Sequence, residues 1–100
     1  MRVGIIGGLD RSEQSYQRLA HDLGHEVEHH TGHMRGHATA DLERLVERCD
    51  VVVIVTDINS HGAVQTTRKL LRGRHRDPVL VRRLGVSRFL ALLQAHAAPA

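Results

Sequence analysis

The pattern of apolar and polar positions changes repeatedly along the chain between one typical of strands and one typical of helices. Runs rich in β-branched residues, of the length expected for strands, are separated by segments with helical spacing. The predicted strands are Arg2 to Gly8, Glu26 to His30, Asp50 to Asp57 and Pro78 to Leu84. The third run, DVVVIVTD, has five consecutive β-branched apolar residues, which predicts a central strand buried on both faces. The second, EVEHH, is short and alternating, as expected for an edge strand.

The segments between these strands carry apolar residues three and four positions apart, which predicts amphipathic helices. The helices are expected to begin at Ser12, at Ala38 or Thr39, at Ser60, and at Val86 or Ser87. Ser12 and Ser60 are suited to N-caps, and Gly24 to the residue that ends the first helix. The expected apolar positions are Tyr16, Leu19, Ala20, Leu23, Leu42, Leu45, Val46, Cys49, Ala63, Val64, Thr67, Leu70, Leu71, Phe89, Leu90, Leu92 and Leu93.

Four consecutive βα units predict a single α/β domain over residues 1–100, with a frayed tail at 96–100. A parallel sheet with helices on both faces, flavodoxin-like or Rossmann-like with strand order 2-1-3-4, is the economical layout. In such sheets, ligands bind beyond the carboxyl ends of the strands at the point where the strand order reverses. The residues expected at those ends are Gly7, Gly8, His29, His30, Asp57, Ser60, His61, Arg83, Gly85 and Ser87.

Composition narrows the range of partners. The net charge is +3 with neutral histidine, which favours anionic partners such as phosphates, nucleotides, nucleic acid or haem propionates. The chain has only two aromatic residues, Tyr16 and Phe89, which argues against binding of single-stranded nucleic acid by base stacking. A chain of 100 residues buries a limited share of its surface, so a homodimer is expected.

The single cysteine, Cys49, excludes an intramolecular disulfide and is expected to be a small buried residue. No run reaches the length that a membrane-spanning helix needs, and the first residues resemble a strand more than a signal peptide. These features predict a cytoplasmic protein without a membrane anchor.

Histidine is the most unusual feature of the chain. Five of the nine histidines lie in the stretch GHEVEHHTGHMRGH, from Gly24 to His37. Imidazole is the commonest metal ligand and suits Fe, Zn, Cu, Ni and haem iron. The ligands predicted for a haem or transition metal ion are His29, His30 and His61, with His33 and His37 as auxiliary ligands. Strands two and three flank strand one and are about 10 Å apart, which is too far for histidines at both strand ends to hold one metal ion directly. Either the loops would have to bring the histidines closer together, or the ligand would have to be as large as haem.

A second hypothesis uses the same edge of the sheet without a metal. Paired glycines between a first strand and a helix can cradle phosphate, although the complete G-x-G-x-x-G pattern is absent. The residues expected to bind a phosphate or nucleotide are Gly7, Gly8, Arg11, Asp57, Ser60, Arg83 and Ser87. A third hypothesis is a protein-interaction domain whose histidines are incidental. No residues are assigned to catalysis, because no acid–base pair is fixed by the sequence.

The motif order resembles the bacterial family of domains of unknown function 2325 (DUF2325). The matching segments are GIIGG on the first strand, HHTG after the second, DVVVIVTDINSH on the third, and GVSRFLALL at the end. The resemblance covers almost the whole chain and implies the α/β fold. It also gives priority to His29, His30, Ser60 and His61. The family pattern has an acidic residue where Thr31 stands and Lys and Cys near Arg68 to Arg72, so those groups are not carried over.

Together these features predict a small cytosolic binding or sensing protein that ligates haem or a transition metal. The alternative is a phosphate- or nucleotide-binding regulatory module. Nucleic acid is the less favoured anionic partner, because no recognition motif accompanies the basic residues.

Overall fold

The computed structural model describes residues 1–8 and 13–96, which form four strands and four helices in strict alternation. The elements are β1 (Arg2–Ile6), α1 (Glu13–Asp22), β2 (Glu26–His30), α2 (Ala38–Arg48), β3 (Val51–Val55), α3 (His61–Gly73), β4 (Val79–Val81) and α4 (Val86–His96). All strand pairs are parallel, and the order is β2-β1-β3-β4. The predicted three-layer α/β fold and its strand order are confirmed.

The two faces of the sheet carry separate apolar cores, because successive strand residues point to opposite faces. On one face, residues of β1 and β3 pack with α1 and α4 around Tyr16 and Phe89, whose ring centroids are 5.0 Å apart. On the other face, Ile6 and Val52 pack with α2 residues such as Leu42 and with α3. The central position predicted for the third strand is explained by this double coverage.

Helix α2 lies close over β1 at Gly4. A Cβ atom at Gly4 would lie 2.5 Å from Leu45 Cδ2 and 3.1 Å from Cys49 Sγ, so a side chain there would force the Leu45 side chain to move. Cys49 is buried, as predicted. Burial is the main cause that raises the pKa of its thiol to about 12, which keeps the sulfur protonated.

Four elements differ from their predicted bounds. Strand β1 ends at Ile6 and not at Gly8, and β3 spans Val51–Val55 and not residues 50–57. The first helix ends at Asp22, and Leu23 is exposed instead of facing the core, because the chain turns at Gly24 with φ +81°. Strand β4 spans Val79–Val81 and not residues 78–84, because its partner β3 ends at Val55, which pairs with Val81. The predicted N-cap Ser12 and residues 97–100 of the predicted tail lie outside the described residues.

Among the described residues, no helix is long and apolar enough to cross a membrane.

One buried polar group has no hydrogen-bond partner within residues 1–8 and 13–96. Thr67 on the inner face of α3 is fully buried, and its Oγ1 makes no hydrogen bond. Burial of an unpaired hydroxyl costs about 1–3 kcal/mol. Valine has nearly the same shape and no polar atom.

We therefore expect Thr67→Val to raise the free energy of unfolding by about 1 kcal/mol in urea denaturation. The exposed Thr39 of α2 offers a matched control, and Thr39→Val should change stability by less than about 0.5 kcal/mol. A loss of stability in Thr67→Val would show that the hydroxyl is paired in solution.

Candidate functional site

The loops that follow the four strands meet at the carboxyl edge of the sheet. Parallel strands bring all their carboxyl ends to one edge, and the strand order reverses between β1 and β3. Hydrogen bonds join these loops directly: Gly7 N donates to His30 O at 2.7 Å, and Gly8 N donates to Ile58 O at 2.7 Å. The loops after β1, β2 and β3 therefore form one connected surface.

Asn59 ties the end of β1 to the segment between β3 and α3. Its side-chain Nδ2 donates to Ile6 O at 3.1 Å and to Val55 O at 2.9 Å, which are the last residues of β1 and β3. Its Oδ1 accepts a hydrogen bond from Ser60 N at 2.9 Å. One amide thus satisfies two strand-end carbonyls and one N–H group at the start of α3.

Glycine is required where the backbone passes this amide. Gly7 has φ +92°, and a Cβ atom there would lie 2.5 Å from Asn59 Nδ2. Gly32 also has φ +92°, and a Cβ atom there would overlap Asn59 Oδ1. The glycines named by the sequence motifs GIIGG and HHTG therefore make room for the Asn59 side chain.

Ser60 connects the second loop to the third helix. Its Oγ donates to Gly32 O at 2.6 Å and accepts from Ala63 N at 3.0 Å. The predicted N-cap of α3 is confirmed. The hydroxyl is engaged on both sides, which fixes the start of α3 against the loop after β2.

The buried side chain of His29 connects β2 to the turn at Gly7 and Gly8 that follows β1. Its side chain is 1% exposed, and Nε2 donates to Gly7 O at 2.7 Å, since a carbonyl can only accept. Its Nδ1 lies 3.8 Å from Glu13 Oε2, which gives an ion pair when the ring is protonated. Both ring nitrogens therefore face protein oxygen atoms.

His30 points to the opposite side of the sheet and makes a local contact. Its Nδ1 accepts a hydrogen bond from Gly32 N at 3.0 Å. Burial lowers the pKa of His30, against the opposing effect of the Asp41 carboxylate. A neutral ring is required for this contact, because a protonated Nδ1 cannot accept a hydrogen bond.

The other predicted ligands lie on the surface. His61 is exposed in the first turn of α3, where its Nε2 is 2.9 Å from Nε2 of Gln65 and accepts from that amide. His33 and His37 are exposed, and His37 precedes α2 without a side-chain capping bond. Within residues 1–8 and 13–96, no group of three or more His, Cys, Asp or Glu side chains is placed to hold a metal ion. Metal ligation by these histidines stays a prediction.

Asp57 organises the other half of the edge. Its Oδ2 accepts from Arg83 Nε at 3.0 Å, and its Oδ1 accepts from Arg82 Nε at 3.5 Å. Arg83, followed by Arg82, lowers the pKa of Asp57, which keeps the carboxylate charged. The two guanidinium groups are 86% and 87% exposed as side chains, so the pair is held together but remains open to solvent.

Two cavities flank Ile58 at this edge. The first, of about 240 Å³, has Tyr16, Val55 and Leu84 in its lining, together with Asp57 and both arginines. The second, of about 340 Å³, is lined by Gly8, Thr31, Gly32, His33, Ile58, Asn59 and Ser60. Both cavities include Gly8 and Ile58, and the Ile58 side chain is exposed despite being apolar.

The predicted site residues are brought together only in part. Gly7, Gly8 and Ser60 lie in the connected loops, and Asp57 and Arg83 border the first cavity. Gly85 also lines that cavity, whereas Ser87 is exposed in the first turn of α4. Arg11 lies outside the described residues.

Sequence reasoning missed the roles of Asn59 and Ile58. Asn59 is the only asparagine in the chain, and it stands between a strand and a serine N-cap, a position where its amide can bond to turn backbone. The position of Asn59 in the sequence is enough to predict a local turn. The contact with Ile6, 53 residues away along the chain, depends on the order of the strands.

Comparison with known proteins shows the family. Residues 2–96 match the model of the family described as an uncharacterized protein conserved in bacteria (DUF2325), so the chain belongs to that family. It is similar to the UPF0751 proteins of Desulfitobacterium hafniense strains DCB-2 and Y51. Each is 27% identical over 88 residues, covering 87% of this chain and 86% of the relative. No solved structure matches the chain.

We expect Asn59→Asp to lower the free energy of unfolding by about 2–4 kcal/mol. The aspartate keeps the acceptor for Ser60 N but replaces both donors with oxygen, which leaves two strand-end carbonyls facing a carboxylate. Urea denaturation measures the change. Ser60→Ala, which removes the cap, should cost about 1 kcal/mol. The proposed role of the Asn59 amide is refuted if Asn59→Asp is the milder of the two.

His30 makes stability depend on pH in a defined direction. Because its folded-state pKa lies below the ordinary value of 6.5, the unfolded chain binds the proton more readily. We expect stability to fall as the pH drops below about 6.5, until the folded-state pKa is reached. His30→Asn retains an acceptor near Gly32 N, does not titrate, and should flatten this part of the urea-denaturation profile between about pH 7 and pH 5. An unchanged profile would contradict the assignment.

Proposed function

We propose that this member of the DUF2325 family binds a small organic anion, such as a nucleotide or another phosphate ester, at the carboxyl edge of its sheet. The observation that supports this most is the pair of arginines held by Asp57. Both contact the carboxylate through Nε. Among the described residues, the Nη atoms of Arg82 and Arg83 make no hydrogen bond or ion pair, so both forks are available to a ligand.

The electrostatics favour an anion over a cation. Two positive charges meet one carboxylate, which leaves an excess of one positive charge beside the cavity. Guanidinium groups bind phosphate and carboxylate oxygen atoms in a bidentate manner, and the Nη atoms are the ones that such an anion uses. Asp57 orients the arginines and lowers the cost of placing two like charges next to each other.

The adjoining cavity supports a ligand that also has an apolar part. Tyr16, Val55 and Leu84 contribute to its wall, and the exposed Ile58 stands at its border. The volume of about 240 Å³ lies just below the range common for drug-sized ligands, so it suits one ring or a short apolar group. A molecule that combines such a group with a phosphate would match both halves of the site.

The position within the fold adds support. Parallel α/β sheets bind ligands at the carboxyl edge where the strand order reverses, and Gly8 and Val55 of the cavity follow or end the two strands on either side of that point. Binding or sensing is favoured over catalysis. The low pKa of Asp57 makes it a poor general base, and the carboxylate already has two cationic partners.

Haem is a second candidate, favoured by one specific observation. His33 lines the neighbouring cavity, is exposed, and its ring has no hydrogen-bond partner within residues 1–8 and 13–96. Arg82 and Arg83 could pair with propionates across Ile58. In this proposal His33 would hold the iron in place of His29 and His30, because His29 Nε2 donates to Gly7 O and His30 Nδ1 accepts from Gly32 N. A second copy of the chain would supply a second histidine.

Titration with AMP, followed in ¹H–¹⁵N NMR spectra, tests the anion proposal. We expect amide shifts at Gly8, Ile58 and Gly85, and a loss of affinity of about tenfold in Arg83→Gln. Arg18 on α1 is exposed and has no ion pair among the described residues, so Arg18→Gln is the matched control with an equal change in charge.

Equal weakening by Arg83→Gln and Arg18→Gln would reduce the effect to net charge and contradict the site. Haem titration of the same samples separates the candidates. A Soret shift that is lost in His33→Ala, without AMP binding, would favour haem. Absence of both AMP and haem binding would refute the proposed function.

A further inference from the structure

A second basic cluster lies at the opposite, amino edge of the sheet. Helix α3 runs antiparallel to the strands, so its start is at the carboxyl edge and its end is near the beginning of β4. A cavity of about 330 Å³ opens there, lined by Arg68, Arg72, His75, Arg76, Asp77 and Pro78. No residue of this cavity contributes to the two cavities beside Ile58.

The positive charges of Arg68 and Arg72, the two arginines of this cluster that lie on α3, are not neutralised by an acidic partner among the described residues. Arg68 and Arg72 are four residues apart, so they occupy one face of α3, where like charges repel. Neither has an ion pair within the part of the chain that the structure describes. Two arginines near this end of the fold are paired: Arg48 contacts Glu28 at 2.8 Å, and Arg74 contacts Glu47 at 2.9 Å. Repulsion between Arg68 and Arg72 would be relieved by an external anion.

Arg76 gives the cavity a fixed wall. Its Nη1 donates to Val46 O at 2.7 Å, and its Nη2 donates to Cys49 O at 2.7 Å and Asp50 O at 3.0 Å. These bonds satisfy carbonyls at and after the end of α2 and hold the guanidinium in place. Its positive charge is not neutralised by an acidic partner among the described residues, so it adds to the field of the cavity.

His75 occupies a backbone position that glycine usually takes. Arg76 N donates to Leu71 O at 2.9 Å and His75 N donates to Arg72 O at 3.0 Å, the bond pattern that closes a helix with a left-handed residue. His75 has φ +55° and is the only non-glycine residue with positive φ among those described. Strain of this kind is retained where the side chain has a use, and this imidazole lies in the cavity lining with the arginines.

Asp77 is the one acidic group in the lining. It makes no ion pair with the cluster among the described residues, so it does not neutralise Arg68 or Arg72. Three arginines against one carboxylate leave the cavity positive.

From this arrangement we propose that the amino-edge cavity binds a phosphate group, with Arg68 and Arg72 as the principal ligands and His75 as an additional donor. The group could belong to a free phosphate compound or to the backbone of a nucleic acid, because both present the same oxygen atoms to guanidinium groups. This site is independent of the carboxyl-edge proposal.

NMR titrations with inorganic pyrophosphate and with a short DNA duplex test the proposal. We expect amide shifts at residues 68–77 that are lost in the double variant Arg68→Gln, Arg72→Gln, with a loss of affinity of at least tenfold at this cavity. Both positions are exposed and glutamine is a good helix former, so the fold is retained. Arg18→Gln is the control and should leave these shifts and affinities unchanged.

The two arms identify the source of the phosphate. If nucleic acid is the ligand, the duplex binds more tightly than pyrophosphate, and the double variant lowers the slope of log affinity against log salt by about two. If a free compound is the ligand, pyrophosphate binds at least as tightly as the duplex. In both cases His75→Gly should weaken binding while raising the urea midpoint, because glycine relieves the strained backbone. The proposal is overturned if neither probe binds, or if Arg18→Gln weakens binding as much as the double variant.

Discussion

The Asn59 side chain is the contact on which the carboxyl edge of the sheet depends. Its amide bonds to the last carbonyls of β1 and β3 and to the first N–H group before α3. Glycine is needed at positions 7 and 32, because any side chain at either position would collide with the amide. Two cavities then open on either side of Ile58. The Asn59 amide therefore joins the end of β1 to the segment between β3 and α3, and the loop after β2 passes close to it at Gly32.

The histidine-rich stretch has a different role from the one that its composition suggests. His29 ties β2 to the glycine turn through Gly7 O, and the ring of His30 accepts a hydrogen bond from Gly32 N. Both rings are thus engaged in local structure beside the glycines. His33 remains exposed at the neighbouring cavity, which is why it becomes the stronger candidate for ligation. Histidine density in the sequence predicted a site at the carboxyl edge of the sheet, but the availability of each nitrogen is a property of the folded chain.

Charge is distributed between two edges of the sheet. At the carboxyl edge, Asp57 gathers Arg82 and Arg83 and leaves their outer nitrogens available. At the amino edge, Arg68 and Arg72 lie close together without an acidic partner among the described residues. The sequence presents all these residues as one basic segment, between positions 68 and 88. Folding separates them, because α3 and β4 run in opposite directions and carry their charges to opposite ends.

The fold could be predicted from local patterns alone. β-Branched runs, helical spacing, Ser60 as an N-cap and Gly24 as a helix stop are short-range signals, and four βα repeats restrict the topology to a parallel sheet. That topology predicted that Gly8, Asp57 and Arg83 lie at the carboxyl edge of the sheet. Tertiary structure alone decided which polar atoms remain free. The bond from Asn59 to Ile6 and the pairing of Asp57 with Arg83 join segments distant along the chain, and hydrogen-bond saturation is set by such contacts rather than by periodicity.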